Sequence, residues 1–537
     1  MRDITRLIAL AIVAFTITVL AVILDNPNIT DEVARRLGLY SDGDKPVDRM
    51  VEADTVVRVQ RPHLQTWVGL QGYPSQTVVR FPIPRDVGLI GGQVQLDLRT
   101  QLIEHGDGLL RILINGQERD ALVLESGTRI HKLTYQLTPS ELAAGAVVVT
   151  LSGNGTTNYG QICPTNVTNL GAAIEVLPSS ALLIELDRPL SGAAAIAALL
   201  PDPLTLNVSA APPVAAWAAQ WLSRQGVPAV LGASPAPDLI DVASEAAEPM
   251  SVDAAGSLTL AGSRGVAELA ALRGAALPAS YGRQWPLPVE ALTTDLLTHT
   301  FRGSSRWSLR YKLADLPGGN APGNLALSLR TSRLQEGNHW TLRVLLNGSL
   351  IHSANYPGTG DTLALDVALP PALQGLTNEI TVTLVDNTPN QGICRAGPEA
   401  AAQLLPESLL DLSPSPANDT QTLVKALADA ASVAIPPESG AGLSTAEFLT
   451  GMLDLVLPLD TEINFAAAAG STTIEVVDGD RIRSLFAAGK AEGVGNAFLV
   501  TPSSWSRPDG IAVVRLTEAG DVPVSLQAAP NALLVTW

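Results

Sequence analysis

LRILINGQ (Leu110–Gln117) returns 232 residues later as LRVLLNGS (Leu342–Ser349), and this pair decides how the chain is read. In both, every second residue is apolar up to an Asn-Gly dipeptide, the pattern of a strand entering a tight hairpin. Four further stretches recur in the same order. Leu98-Arg99-Thr100 returns as Leu329-Arg330-Thr331, and VVVTLSGN (Val147–Asn154) as ITVTLVDN (Ile380–Asn387). The GQIC ending at Cys163 returns as the QGIC ending at Cys394, and LPSSALL from Leu177 as LPESLL from Leu405. The offset stays between 228 and 233 residues. Chance does not hold five matches in register, so the chain is an internal duplication.

Around these anchors the periodicity is that of strands. Val79, Phe81 and Ile83 alternate with polar or turn positions, as do Trp307, Leu309, Tyr311 and Leu313. Short alternating strands punctuated by Gly, Pro and Asn predict a β-sandwich in each copy, at 52–187 and 284–412. Phe81, Trp307 and Tyr311 are expected in the cores. The segments that follow, 188–283 and 413–537, alternate strand and helix and predict small α/β domains. Expected helices there include Val214–Gln225, Thr420–Val433 and Ala446–Val456.

Residues 1–25 carry a different signal. Leu7–Leu24 is eighteen residues without a charge, preceded by Arg2 and Arg6 and followed by Asp25. At about 1.5 Å per residue such a helix approaches the thickness of a bilayer core. The positive-inside rule keeps its N-terminus cytoplasmic and exports the rest, through a linker at 26–51. A cleaved signal peptide is the competing reading, but Val22-Ile23-Leu24 is a poor cleavage site. A single uncleaved span is expected.

Composition excludes several classes. Acidic residues outnumber basic ones 52 to 34 over 537 residues, for a net charge of −18, so no nucleic-acid partner is expected. Two cysteines cannot build a four-thiolate zinc site, and the six histidines show no metal-ligand spacing. No metal, cofactor or catalytic residue is expected: there is no Walker A loop, GxSxG elbow or GxGxxG fingerprint. Asp386 and Glu399 lie in the second sandwich, but the first-copy counterpart of Asp386 is Gly153. Cys163 and Cys394 hold the same position in the two copies. In an oxidising compartment a bridge between them is expected over two independent buried thiols.

Aromatics make up only 4% of the chain, so those outside the alternating pattern stand out. Trp67, Tyr73, Tyr159, Trp340 and Tyr356 are candidate sugar-stacking rings, with core or turn packing as the alternative for each. Tyr159 sits in the polar TTNYGQ loop, Trp340 opens a strand in EGNHWT, and Tyr356 is assigned to a loop, SANYPG.

The duplicated order resembles BcsB, the periplasmic subunit family of bacterial cellulose synthase. The resemblance rests on FPIPRDVGLIGGQVQLDLRT (Phe81–Thr100), on the paired LRILINGQ and LRVLLNGS strands, and on Leu177–Leu183 and Leu405–Leu410, and covers roughly residues 52 to 537. It implies carbohydrate-binding-like sandwiches and flavodoxin-like α/β domains without flavin. It also implies a non-catalytic subunit at the inner membrane, with the bulk of the chain periplasmic. Its partners would be a processive glycosyltransferase (the cellulose synthase catalytic subunit), the nascent glucan and, through Leu7–Leu24, the lipid bilayer. Members are often titled cyclic-di-GMP-binding, but the exported part shows no RxxxR…DxSxxG arrangement, and Arg2–Arg6 reads as positive-inside anchoring. The family pattern has a C-terminal membrane helix; none occurs up to Trp537, so the N-terminal helix is the expected anchor. A free-standing periplasmic polysaccharide-binding protein is the alternative, with a glycan hydrolase behind it. Self-association, stoichiometry and the sugar itself stay open.

Overall fold

A computed structural model of the chain describes residues 50–537 except 54, 61–68, 74, 84–87, 105, 158–171, 178, 191, 201–202, 210, 234–238, 245–247, 254–256, 274–283, 294, 302, 389–399, 413–417, 440, 466–471, 489–495, 504–508, 517–520 and 528. All of these lie in the second of two compact units, Val47–Trp537. The N-terminal span Leu7–Leu24, the linker and both cysteines fall outside the described residues. Among the described residues no helix is long and apolar enough to cross a membrane.

The duplication is visible strand by strand. In the first copy Leu89–Leu102 is the long central strand. It pairs on one edge with Ala181–Leu186 and Ala172–Val176 and on the other with Gly127–Gln136, all antiparallel. Val56–Gln60 and Gly69–Gln71 extend this sheet, and Met50–Ala53 makes it seven-stranded. Facing it are Ser75–Pro82, Ala146–Thr157, Gly106–Ile114 and Gln117–Leu124, in that order. The second copy repeats the plan. Pro322–Thr331 is its central strand, flanked by Leu409–Leu412, Ala400–Leu404 and Thr362–Ala368, with Leu287–Pro288 and His299–Phe301 outside. Its facing sheet is Ser304–Lys312, Thr377–Asp386, His339–Leu346 and Ser349–Pro357. Alternation decides which side is buried. Val94, Leu96 and Leu98 are buried inside while Gln95, Asp97 and Arg99 point out, and each buried aliphatic contributes about 1.5–3 kcal/mol.

The recurring motifs have physical reasons. Asn115 and Asn347 have φ of 48° and 50° and are each followed by a positive-φ glycine, Gly116 or Gly348, as a two-residue hairpin of this hand demands. The asparagine also ties the hairpin to its neighbour. Its side-chain oxygen accepts from the Val148 or Glu379 backbone N–H, at 2.8 Å in both copies. The repeated Leu-Pro-x-Ser places Ser180 and Ser408, both buried, against the central strand. Each hydroxyl accepts from a backbone N–H, of Asp97 or Ser328, and donates to the carbonyl of the same residue.

Each sandwich leads into an α/β layer. In the first, Leu204–Asn207 lies between Ala229–Gly232 and Leu239–Ala243, followed by Leu258–Ala261, all parallel, with Met250–Val252 as an antiparallel edge. In the second, Val433–Ala434 lies between Ile463–Asn464 and Thr472–Asp478 in the same parallel order. The two then diverge: the next strand, Asn531–Thr536, runs antiparallel, and Ala497–Pro502 and Ile511–Arg515 complete the sheet. The helix expected over 420–433 is shorter, Asp419–Asp429, because Val433 and Ala434 enter the sheet.

One hydrophobic core runs through the second sandwich and into both α/β layers, the first sandwich has its own, and a third, smaller one around Phe486, Leu499 and Leu534 lies within the second α/β layer. The helices Pro212–Arg224 and Leu443–Val456, equivalent in the repeat, pack on each other. Alanines at 215, 216, 218 and 219 are buried in the first of them, and the Thr450 hydroxyl donates to the Ala216 carbonyl at 3.2 Å. Polar staples cross the same junction. Arg224 donates to the Asp315 carboxylate and the Leu457 carbonyl, Lys312 pairs with Asp454 at 2.6 Å, and Asp509 accepts from the Leu376 and Thr377 backbone N–H groups.

Candidate functional site

The described candidate rings do not form a surface platform. Trp340 is fully buried, on the inward side of His339–Leu346 with Leu342, Val344 and Leu346. It is a core residue, which corrects its reading as a stacking ring. Tyr73 is likewise buried, at 3% exposure. Its ring occupies space left by Gly108, Gly153 and Gly155, where a Cβ at Gly108 or Gly155 would collide with it. Burial pushes its phenol up to about 12. Tyr356 lies in the strand Ser349–Pro357 rather than in a loop. It is half-buried against the core, its hydroxyl 3.1 Å from His352 Nε2. Trp67, Tyr159, Cys163 and Cys394 lie outside the described residues. Phe81, Trp307 and Tyr311 are core residues, as expected.

A different aromatic is on the surface. Gln117–Leu124 is the edge of the first sandwich's four-stranded sheet, and Gly127–Gln136 is the edge of the sheet facing it. Both edges lie on one side of the sandwich, and the inward side chains of the two strands meet along that seam. Tyr135, Leu133 and His131 come from one strand, and Asp120 and Leu122 from the other; all five are partly exposed. Tyr135 donates to Asp120 Oδ2 at 3.0 Å, and His131 Nε2 lies 3.0 Å from Thr100 Oγ1. Burial, the hydrogen bond to Asp120 and the charge of that carboxylate push the Tyr135 phenol far above its usual range, so it remains a hydrogen-bond donor. Arg119 and the Thr138 cap brace the nearby Glu141. Burial works to raise its carboxyl, but the Arg119 and Thr138 hydrogen bonds outweigh it and hold the group below the usual range.

The second sandwich closes the same seam. At the positions of His131, Leu133 and Tyr135 it has Leu363, Leu365 and Val367, with Leu363 and Val367 buried. At the position of Asp120 it has His352. The open, polar-edged seam therefore belongs to the first copy. It offers one phenol ring, two leucines, a carboxylate and an imidazole: an apolar surface for sugar C–H groups beside donors and acceptors for hydroxyls.

The outer face of the first copy's large sheet is also polar. Gln93, Gln95, Asp97 and Arg99 project from the central strand. Gln136 donates to Gln93 Oε1 at 2.8 Å, Arg58 to Gln95 Oε1 at 3.1 Å, and Arg99 pairs with Glu175 at 2.8 Å. The second copy has Asn324, Ala326, Ser328 and Arg330 in this row.

One cluster has the elements of nucleophile chemistry. Asp295 Oδ1 lies 2.7 Å from His299 Nε2, and His299 Nδ1 lies 2.6 Å from Ser305 Oγ. The imidazole stacks on Trp307 with ring centroids 4.9 Å apart. Ser305, however, is buried on the core side of its strand with Trp307 and Leu309, where the relay fastens the Asp295–His299 segment to the sandwich end. Among the described residues no group of His, Cys, Asp and Glu is arranged to hold a metal ion.

With these surfaces placed, comparison with known proteins finds that residues 319–416 match the family model for the first CBM (carbohydrate-binding module) domain of the cellulose synthase protein BcsB. The chain carries a BcsB domain. The match falls on the second of the two sandwiches, from just before Pro322–Thr331 to just past Leu409–Leu412. No curated protein matches the chain. Among solved structures, a family 35 carbohydrate binding module from an environmental isolate is 6% identical, covering 28% of this chain and 90% of its own, at a TM-score of 0.15. A family 35 module from Clostridium thermocellum is 12% identical over 26% of this chain and 85% of its own, at 0.13. The CBM36-1 domain of a xylanase from the hindgut metagenome of Trinervitermes trinervoides is 11% identical over 24% and 95%, at 0.15. The BcsB domain is duplicated in plan by the first sandwich, whose seam is the more open of the two.

Proposed function

We propose that the chain is a non-catalytic, glucan-binding component of a bacterial cellulose synthase or a related exopolysaccharide synthase. The observation that carries this is the BcsB match on a duplicated sandwich. In this reading the chain is anchored in the inner membrane by Leu7–Leu24, stands periplasmic beside the processive glycosyltransferase, and guides the emerging glucan. The order of the first three parallel strands, shared by the two α/β layers, supports a flavodoxin-like start for each, from which the antiparallel strands completing the second depart.

The glucan contact is assigned to the seam of the first sandwich. A neutral glucan presents C–H faces and equatorial hydroxyls. Tyr135, Leu122 and Leu133 suit the first, and Asp120 and His131 the second. Titration of the intact chain with cellohexaose tests this. Tyr135→Ala is expected to weaken binding about tenfold, a step of about 1.4 kcal/mol. Tyr356→Ala, in the closed seam, should leave it unchanged. Equal affinity in the wild type and a folded Tyr135→Ala variant would rule out the seam.

A further inference from the structure

The outer face of the second sandwich's four-stranded sheet differs in kind from its counterpart. Arg306, Thr383, Arg343 and Ser353 stand side by side in one row across its four strands. Ser308, Thr381, Leu345 and the exposed Leu350 occupy the row on one side, and Ser304, Val385, Thr341 and Asn355 the row on the other. Arg306 and Arg343 are both exposed and sit two strands apart, so their Cα atoms are about 10 Å from each other. Arg306 donates to Thr381 Oγ1 at 3.3 Å, which lays its guanidinium along the sheet. Among the described residues that project from this face, Glu379 is the one carboxylate. It accepts from Ser308 and from Arg310 at 3.2 Å. Three guanidiniums, of Arg306, Arg310 and Arg343, thus face one carboxylate, in a chain whose acidic residues outnumber its basic ones by 18.

The first copy repeats this in part: Arg80 holds the position of Arg310 and Arg111 that of Arg343, but Arg306 is matched by Gln76. Its central row reads Gln76, Ser152, Arg111 and Ala121. Where the second copy has Ser308, Thr341, Asn355 and Glu379, the first has Val78, Leu109, Val123 and Val148. At these four positions the second copy carries hydroxyls, an amide and a carboxylate where the first has aliphatics, while Val385 stands where the first has Asn154.

We propose that this face is a binding surface for carboxylate groups carried on an acidic polysaccharide, separate from the neutral-glucan contact of the first sandwich. The planar guanidinium fork matches a carboxylate bidentately, and flanking Ser, Thr and Asn side chains serve the hydroxyls of the same sugar rings. A lipid surface fits less well: the strand cations Arg306, Arg310, Lys312 and Arg343 exceed the one carboxylate by three, and with Lys312 already paired with Asp454 this is short of the basic cluster that anionic membranes require. The overall negative charge of the chain does not prevent this, because charges beyond about 8 Å are largely screened at physiological salt.

The test is affinity electrophoresis of the intact chain through gels containing polygalacturonate, hydroxyethylcellulose or no polymer. Polygalacturonate should retard the wild type, and the retardation should fall on adding salt. The double variant Arg306→Gln, Arg343→Gln should bind polygalacturonate roughly tenfold more weakly, with its behaviour in the neutral polymer unchanged. Both positions are exposed, and such substitutions typically change stability by less than about 0.5 kcal/mol, so the variant folds. Unretarded wild type, or equal retardation of wild type and variant, overturns the proposal. So does Arg-dependent binding to anionic vesicles without binding to polygalacturonate. Each of these outcomes leaves the neutral-glucan reading standing.

Discussion

Trp340→Ala is expected to cost about 3–5 kcal/mol of stability, the range for emptying an aromatic site in a packed core. The ring is fully buried, 6.1 Å from Phe301 between ring centroids, and stands in line with Leu342, Val344 and Leu346. Urea unfolding followed by tryptophan fluorescence and by circular dichroism measures the loss. Trp340→Phe should cost far less, since the indole N–H has no hydrogen-bond partner to lose. A near-wild-type unfolding midpoint for Trp340→Ala, combined with lost glucan binding, would return the ring to the surface and reverse the assignment.

Asp315→Ala should be the most damaging change at the junction of the second sandwich with the two α/β layers. Arg224 is only 6% exposed at its side chain and reaches from the first α/β layer to Asp315 in the second sandwich and the Leu457 carbonyl beyond it. Removing the carboxylate strands a buried guanidinium, at a cost of about 3 kcal/mol. Because one core continues through these three parts, the loss should appear as a shift of their common unfolding transition rather than as a new early phase. Lys312→Ala, whose pair with Asp454 is about a third exposed, is the comparison and should cost under about 1 kcal/mol. Equal effects from the two variants would show that Arg224 finds another partner.

Three of the recurring stretches were legible because each marks a local necessity; VVVTLSGN against ITVTLVDN is two residues out of step, since the strands put Val149 at the position of Ile380 and Gly155, not Gly153, at that of Asp386. Asn-Gly marks a positive-φ turn, Leu-Pro-x-Ser a buried hydroxyl clamped on one strand, and Leu-Arg-Thr the parity of the central strand. Trp340 was also legible in principle: it shares parity with Leu342, Val344 and Leu346, and only its place at a strand start made it look peripheral. Tyr73 was not. The space for its ring is cleared by glycines at 108, 153 and 155, far along the chain on two other strands, and only the folded sheet brings them to it. The seam at Tyr135 was hidden for a related reason. Gly127–Gln136 alternates like any half-buried strand, and whether its inward side is covered depends on the width of the opposite sheet. The divergence of the two α/β layers after their third strands also escaped the sequence, because the matched stretches all lie in the sandwiches.

The most direct test of the functional reading is to capture the tagged chain from native membranes in mild detergent and identify its partners by mass spectrometry. A multi-spanning processive glycosyltransferase recovered in near-equal amount is the expected result. Recovery of the chain without any membrane glycosyltransferase, under conditions where a known membrane complex survives, would contradict it and leave a free-standing polysaccharide-binding protein.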